Sequence, residues 1–371
     1  MFNKIMNTKI IVASFFPIYP VTFGSSVVIS SFFENLPVRD KTLYQISSQK
    51  RQINNKKVKS IFLLSNYKLL KLFSVLILIK NIFFEIYSSK NRNILFIEGA
   101  SWIGYSFLLI LFLKIFSLNV KIIYRGHSIE YEIRKKNSNF LISGLSFIFE
   151  RFVYRNSFIS TSVSKLEMKK VRRYYNVKTR LFPNIINFNE KKIKKKEFIK
   201  KYILYSGSYD YQPNKKAIDR LYFDIMPKLI KKNPNILLIL TGSKNIPHKA
   251  NWLKNLGLVS KSRYISILRN SLCLVVPTNE GYGTRVKIIE ALCHGTIVVS
   301  SKVGIEGISY DKKKPPPFEC SDNLAFVNVI CKLSENNNYK KKAIKKKFFY
   351  IKNYSANQKT KSFIQEIYET I

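Results

Sequence analysis

Short runs of apolar and β-branched residues return along this chain with a helix's length of sequence between them. The first half holds KIIVASFF, NILFIEG, VKIIYRGH and SFISTSVS, and the second holds YILYSGS, NILLILTGS, SLCLVVPT and TIVVSSK. Each is too short for a core helix and nearly continuous in its apolar character, as a strand buried on both faces must be. Such strands, with crossover helices between them, make parallel sheets. Each run ends in a polar or glycine-bearing turn, and in open α/β sheets ligands collect at those carboxyl ends. Between the two sets, residues 187–201 read NFNEKKIKKKEFIKK, a charge run without apolar periodicity, which is what a linker looks like. The pattern therefore predicts an α/β protein with two Rossmann-like domains, over residues 1–190 and 191–355. A tail follows at 356–371, where Phe363, Ile364, Ile367 and Tyr368 recur at helical spacing; this helix is expected to pack back on the first domain.

At 371 residues and 46% hydrophobic content, the chain can fill a core in each domain, which excludes a disordered or fibrous protein. The formal net charge of +42 has two readings. One is a coding bias, since Lys is abundant beside Asn, Ile, Phe and Tyr while Gly and Pro are sparse. The other is an anionic partner drawn by a long-range field. The cation is overwhelmingly Lys rather than the better groove reader Arg, so peripheral contact with an anionic membrane ranks ahead of nucleic acid. Cys273, Cys293, Cys320 and Cys331 include no CxxC pair, so neither a zinc site nor a disulfide framework is indicated, and a reducing cytoplasm, with contact at the inner face of the plasma membrane, is the expected location. Lys4 and Lys9 precede IIVASFFPIYPV, but Pro17 and Pro20 interrupt that run and no small-residue cleavage site follows, so it reads as a first buried strand. Lys80 and Lys114 interrupt the apolar stretches 69–87 and 103–116, leaving neither the roughly 18 uncharged residues of a spanning helix. Residues 336–347, rich in Asn and Lys, read as surface material.

The chemistry concentrates in SLCLVVPTNEGYGTRVKIIEALCHGTIVVSS. A buried strand runs into a turn where Gly281 and Gly283 let the backbone approach a ligand closely. Thr284 is the expected cap of a helix over 285–293, whose free N–H groups and positive dipole end would face an anion. Arg285 and Lys287 add cationic side chains, and an Arg can hold phosphate oxygens in bidentate fashion. Glu290, about a turn and a half into the helix, suits the hydroxyls of a ribose. The plainer alternative is that Glu290 is a solvated helix residue and that Arg285 and Lys287 belong to the basic bias.

With these residues in view, GYGTRVKIIEALCHG resembles the donor signature of the group 1 family of retaining GT-B glycosyltransferases, in the subgroup whose pattern runs Gly-x-Gly-Thr-Arg-x-Lys-x-x-Glu-Ala. YILYSGSYDYQPNKKAI is similar to the opening of that family's second domain, YRGHSIEYE to its His-Asn-x-Glu-Tyr-Glu strand end, and STSVSKLE with LFPNIINF to the elements before its linker. The resemblance implies transfer of a sugar, with retention, from a nucleotide-diphosphate donor to a saccharide or lipid-linked acceptor, in surface polysaccharide or glycolipid synthesis. By the same resemblance His127 is the active-site histidine, and Gly207, Gly283, Thr284, Arg285, Lys287 and Glu290 bind the donor. Gly24, Glu130, Asn214, Glu280 and Tyr282 form a second rank, with Glu132 beside them. Much of the family has two glutamates separated by seven residues, whereas nine lie between Glu280 and Glu290, and Tyr282 holds the position where the first glutamate would fall. The Arg and Lys that many members carry after the second domain's first strand are not evident in SGSYDYQPNKK.

Neither an Asp-x-Asp metal motif nor a hydrolase-like carboxylate pair is evident, so no metal and no cofactor are expected, and the departing diphosphate would be met by backbone N–H groups, Arg285 and Lys287. Two other readings remain open at this point: a GT-B sugar-nucleotide epimerase, which would alter the donor without an acceptor, and a catalytically silent membrane-surface binding protein.

Overall fold

The computed structural model describes residues 8–47, 55–63, 68–89, 91–188 and 201–371; residues 189–200 of the linker run, and Lys4, lie outside them. The chain forms two compact units, Met1–Asn187 with Ala356–Ile371, and Phe188–Ser355.

In the first unit, β1 (Thr8–Ser14), β2 (Lys41–Ser47), β3 (Val58–Phe62), β4 (Arg92–Gly99), β5 (Val120–Gly126), β6 (Ile159–Ser162) and β7 (Arg180–Leu181) form one sheet in the order β3-β2-β1-β4-β5-β6-β7. Every pairing is parallel. The helices are α1 (Gly24–Glu34), α2 (Lys68–Tyr87), α3 (Ile103–Ile115), α4 (Glu130–Asn137), α5 (Phe140–Asn156) and α6 (Lys165–Tyr175). Because the strands are apolar on both pleats, two cores form. Ile11, Ala13, Leu95 and Ile97 pack with Val75, Leu78 and Ile82 of α2, Leu109 and Leu113 of α3, Val153 of α5 and Val171 of α6. On the other pleat Ile10, Val12, Ile94 and Phe96 meet Ile29 and Phe32 of α1.

The second unit has β8 (Tyr202–Ser206), β9 (Leu237–Thr241), β10 (Leu253–Asn255), β11 (Cys273–Val276), β12 (Val298–Ser301) and β13 (Phe318–Cys320) in the order β10-β9-β8-β11-β12-β13, again all parallel. Its helices are α7 (Gln212–Arg220), continued through a π turn (Leu221–Ile225) into α8 (Met226–Lys232), then α9 (Lys261–Asn270), α10 (Val286–Cys293), α11 (Asn323–Glu335) and α12 (Asn338–Tyr354). Ser260 and Asp322 cap α9 and α11 by accepting from the N–H groups of Arg263 and Ala325. The tail helix α13 (Ala356–Thr370) belongs to the first unit, where Ala356, Phe363, Ile364, Ile367 and Tyr368 complete the core under α1.

β2, β3, β7, β10 and β13 lack the continuous apolar runs that mark the other strands. β3, β7, β10 and β13 are sheet edges, where burial on both faces is not required, whereas β2, one strand in, is buried, and its Gln45 is satisfied by the N–H groups of Ile18 and Tyr19. Residues 336–347 lie at the surface as expected, with Ala343 alone among them buried, and from Asn338 the segment is helical, as part of α12. The four cysteines are free thiols, and burial pushes Cys293 and Cys320 up to about 12, far from the reactive range. Among the described residues, no helix is long and apolar enough to cross a membrane.

Candidate active site

In both sheets the strand order reverses beside the first strand of the unit, between β1 and β4 and between β8 and β11, and crevices for ligands form at the carboxyl ends of such strands. The sequence-derived candidates fall at these two edges.

At the first edge, parallel register sets Glu98 of β4 opposite Arg125 of β5 and Gly99 opposite Gly126. Arg125 Nη1 donates to Glu98 Oε1 at 2.6 Å, and the side chain of Glu98 has no solvent exposure. His127, the residue after β5, brings its Nε2 to 2.7 Å from Glu98 Oε2. Burial alone would raise the Glu98 carboxyl, but Arg125 and His127 outweigh it and hold the group below its ordinary value. Glu98 is therefore a carboxylate, which only accepts, so His127 Nε2 carries the proton of that hydrogen bond. The guanidinium of Arg125 also lies 3.9 Å from the ring centroid of Phe32 and 4.8 Å from that of Phe182. Between Arg125 and His127 only glycine fits, since a Cβ on Gly126 would come within 2.6 Å of the Tyr154 hydroxyl and 2.9 Å of the Thr161 carbonyl oxygen. The outcome is an imidazole fixed at a strand end by a buried carboxylate.

The other first-unit candidates are less directly placed. Glu130 opens α4 and accepts from Arg134 at 2.6 Å, and burial raises its carboxyl. The N–H groups of Glu130 and Tyr131 donate at 2.9 Å to the carboxylate of the buried Glu150, so that helix end is capped from α5. Glu132 takes Lys170 at 2.8 Å and the Tyr174 hydroxyl at 3.0 Å. Gly24 is the first residue of α1, beyond the β1 strand end, where Ser26 Oγ accepts from the N–H groups of Thr22 and Phe23.

At the second edge the arrangement is cationic. Lys287, near the start of α10, donates to Asn214 Oδ1 at 3.0 Å and to the Tyr205 hydroxyl at 3.2 Å, and its ammonium lies 4.3 Å from the Tyr205 ring centroid. The Tyr205 hydroxyl donates to the same Asn214 oxygen at 2.8 Å. Gly207 follows on the β8 turn, where a Cβ would meet the Asn214 side chain at 2.7 Å. Gly207, Asn214 and Lys287, from three separate stretches of sequence, are thus brought together around Tyr205. Burial, then repulsion from Arg285, pushes the Lys287 amine down to about 7. Among the described residues no carboxylate pairs with it.

The loop leading into α10 takes positive φ at Gly281 (132°) and Gly283 (66°), a conformation that suits glycine. Arg285 donates to the carbonyls of Tyr282 (3.0 Å) and Gly283, and to that of Val303 (3.3 Å), so it braces the loop. One expectation is corrected here. The helix begins at Val286 with Arg285 as its N-cap and no side-chain cap, so buried Thr284 is not the capping residue. The left-handed turn at Gly283 delays helical backbone by one residue from its expected start, and the Arg285 side chain caps none of the first N–H groups of α10, a position suited to an anion. Glu290 is buried and ion-paired with Lys261 of α9, not solvated. Glu280 is half-exposed and takes Lys216 of α7 at 3.0 Å. Tyr282 contributes its carbonyl to Arg285.

Four residues absent from the sequence-derived set belong to these edges: Glu98, Arg125, Tyr205 and Lys261. A signal existed for the first two, because a lone acid in NILFIEG and a lone Arg in KIIYRG are charges inside strands that must be buried, and a buried charge needs a partner. Arg220 is a fifth: it donates to the Pro277 carbonyl at 2.8 Å and to Asn279 at 2.7 Å, anchoring the start of the glycine loop to α7. Among the described residues no group of three His, Cys, Asp or Glu side chains forms a metal site.

Residues 200–336 match the family model described as glycosyl transferases group 1. No curated protein sequence matches the chain. Among solved structures it is similar to the sucrose-phosphate synthase of Thermosynechococcus elongatus, with TM-score 0.76 and 14% identity over 98% of this chain and 99% of that one. It is similar to Anabaena HepE in complex with UDP and glucose, with TM-score 0.71 and 11% identity over 97% and 99%. A third is WaaG, a glycosyltransferase involved in lipopolysaccharide biosynthesis, with TM-score 0.66 and 12% identity over 95% and 98%. At these identities the likeness is one of fold, and the fold is GT-B, with two Rossmann-like domains.

Proposed function

We propose, from the premise that residues 200–336 are a group 1 glycosyl transferase domain, that this protein moves a hexosyl unit from a nucleotide-diphosphate sugar to a saccharide or lipid-linked acceptor with retention of anomeric configuration. The observation that carries the reading is the convergence of Gly207, Asn214 and Lys287 on Tyr205, beside a glycine loop and an uncapped helix start. A cation without a carboxylate partner is suited to an anionic ligand. Diphosphate oxygens would accept from Lys287 Nζ and from the first N–H groups of α10, with Arg285 holding the loop in the shape that exposes them. This assigns the leaving group's charge to the chain itself, with no metal and no cofactor in the scheme. Glu290 would take the ribose hydroxyls by exchanging its contact with Lys261, and His127, held by Glu98, would border the donor sugar. UDP is found in the HepE structure and in that of TarM, which makes uridine donors the first to test.

The test is a thermal-shift titration with nucleotide diphosphates and their sugars, followed by product analysis by NMR with and without acceptor. Stabilisation by one donor class, and an acceptor-dependent product of unchanged anomeric configuration, is the expected result. A donor altered without acceptor would mean epimerase chemistry, and absence of any nucleotide response would sink the enzyme reading altogether.

A further inference from the structure

The outer side of one helical layer in the first unit lacks the polar complement of a water-facing surface. α2, α3 and α5 lie side by side over one core, α3 in contact with both neighbours. Opposite its buried stripe, α2 carries exposed Phe73, Leu76 and Phe84, with Phe73 59% exposed. α5 presents Leu141, 72% exposed, then Leu145 and Ile148 on the same outward stripe. Between them α3, IGYSFLLILFLKI, is apolar around almost its whole circumference. A helix apolar on all sides is ordinarily sheathed, and contiguous exposed apolar surface marks an interaction site.

Charge selects the occupant. On the described side chains of these three helices the exposed charges are Lys80, Lys114, Arg151 and Arg155, while the two acids, Glu85 and Glu150, are buried. A second copy of the chain would set the same cations against these, within a protein of formal net charge +42. Nucleic acid would satisfy the cations and leave the apolar side chains in water. An anionic bilayer satisfies both, because apolar side chains enter the acyl boundary while Lys and Arg extend to the lipid phosphates. We propose that the outer face of α2, α3 and α5 is a docking surface for an anionic lipid bilayer. It gives the membrane contact expected from net charge a specific address, and it is independent of the donor site.

Flotation of the full-length protein with phosphatidylcholine vesicles, alone or containing phosphatidylglycerol, tests this. Recovery with the anionic vesicles should exceed that with neutral ones at least tenfold and decline as salt rises. The double variant Phe73→Ser/Leu145→Ser should lose tenfold or more of that binding, and Lys80→Glu/Arg151→Glu should abolish the preference for anionic lipid. All four positions are exposed, so thermal unfolding and the nucleotide-sugar thermal shift should match those of the unsubstituted protein, which separates lost docking from lost folding. As a gain of signal, Leu76→Trp should show emission quenched by brominated phosphatidylglycerol. Equal flotation with neutral and anionic vesicles, or folded variants that float like the parent, would overturn the assignment. So would a dimer dissolved by Phe73→Ser/Leu145→Ser, or nucleic-acid retention lost with the charge reversals alone. Flotation without any nucleotide-sugar response would leave the docking surface standing and remove only the transfer reading.

Discussion

At the carboxyl edge of the first sheet the buried charge of Glu98 is met twice, by Arg125 and by His127, whereas at the edge of the second Lys287 faces a phenol, an amide oxygen and the like charge of Arg285. The first edge is electrostatically closed. Its ionic group has the partners it needs, and its effect is to fix an imidazole. The second is open, and its amine has been driven toward neutrality because nothing anionic offsets burial. The contrast teaches that a charge withdrawn from water can stand in two ways in one chain: compensated, it positions a neighbour, and uncompensated, it is the group that the proposed function assigns to the diphosphate.

The largest effect that could break this contrast is expected from Glu98→Gln. It keeps the volume but strands the Arg125 guanidinium, and loss of one partner from a buried pair costs about 3–5 kcal/mol. Denaturant unfolding followed through hydrogen exchange in the first unit should register that loss. A negligible change would mean that the edge is not closed as described. Next, Lys287→Met should lower kcat/KM for the nucleotide sugar by about 10²- to 10³-fold, the range for removing one preorganised donor to developing charge, while leaving the second unit folded. Unchanged donor turnover would show that the uncompensated amine is not reserved for the diphosphate.

The pH response should be opposite in sign in the two units. Burial raises the Glu150 carboxyl to about 7 from an ordinary 4.5, so the folded first unit holds a proton that the unfolded chain releases. Its contribution is fully present below about 4.5 and fades as pH rises to about 7. Lys287, lowered to about 7 from 10.5, has the reverse consequence: the unfolded chain binds the extra proton between those values, so stability of the second unit rises with pH across that window. Diphosphate binding, which favours the ammonium, should weaken above pH 7 and be accompanied by proton uptake, measurable by calorimetry in two buffers of different ionisation enthalpy. A pH-independent affinity between 6 and 9 would remove Lys287 from the site. The smallest effect is expected from Glu280→Ala, because its pair with Lys216 is exposed and such pairs contribute about 0–1 kcal/mol. Donor turnover should change by less than about threefold; a collapse would restore Glu280 as a sugar contact.

The central strands and the glycine loop were legible in the sequence because burial on both faces and positive φ impose composition directly. Lys287 and Glu290 were legible for the same local reason, since both follow the loop within one helix. Glu98 was not, because its meaning depends on the β4–β5 register that sets it against Arg125, and the Lys261–Glu290 pair likewise depends on α9 meeting α10. The cap moved from Thr284 to Arg285 because the backbone rotation at Gly283, invisible in composition, decides where helical geometry starts.

The return of the tail to the first unit fixes an order of events during synthesis. Residues 188–355 form a unit interrupting another whose tail helix is made only after them. The second unit has its whole sequence before the first does. Until Phe363, Ile364 and Ile367 emerge, the apolar ground they cover beside Phe96 and Phe182 has no lid. The domain begun first is thus the one finished last, and a nascent chain stalled before Ala356 would present that bare aromatic surface to chaperones and proteases.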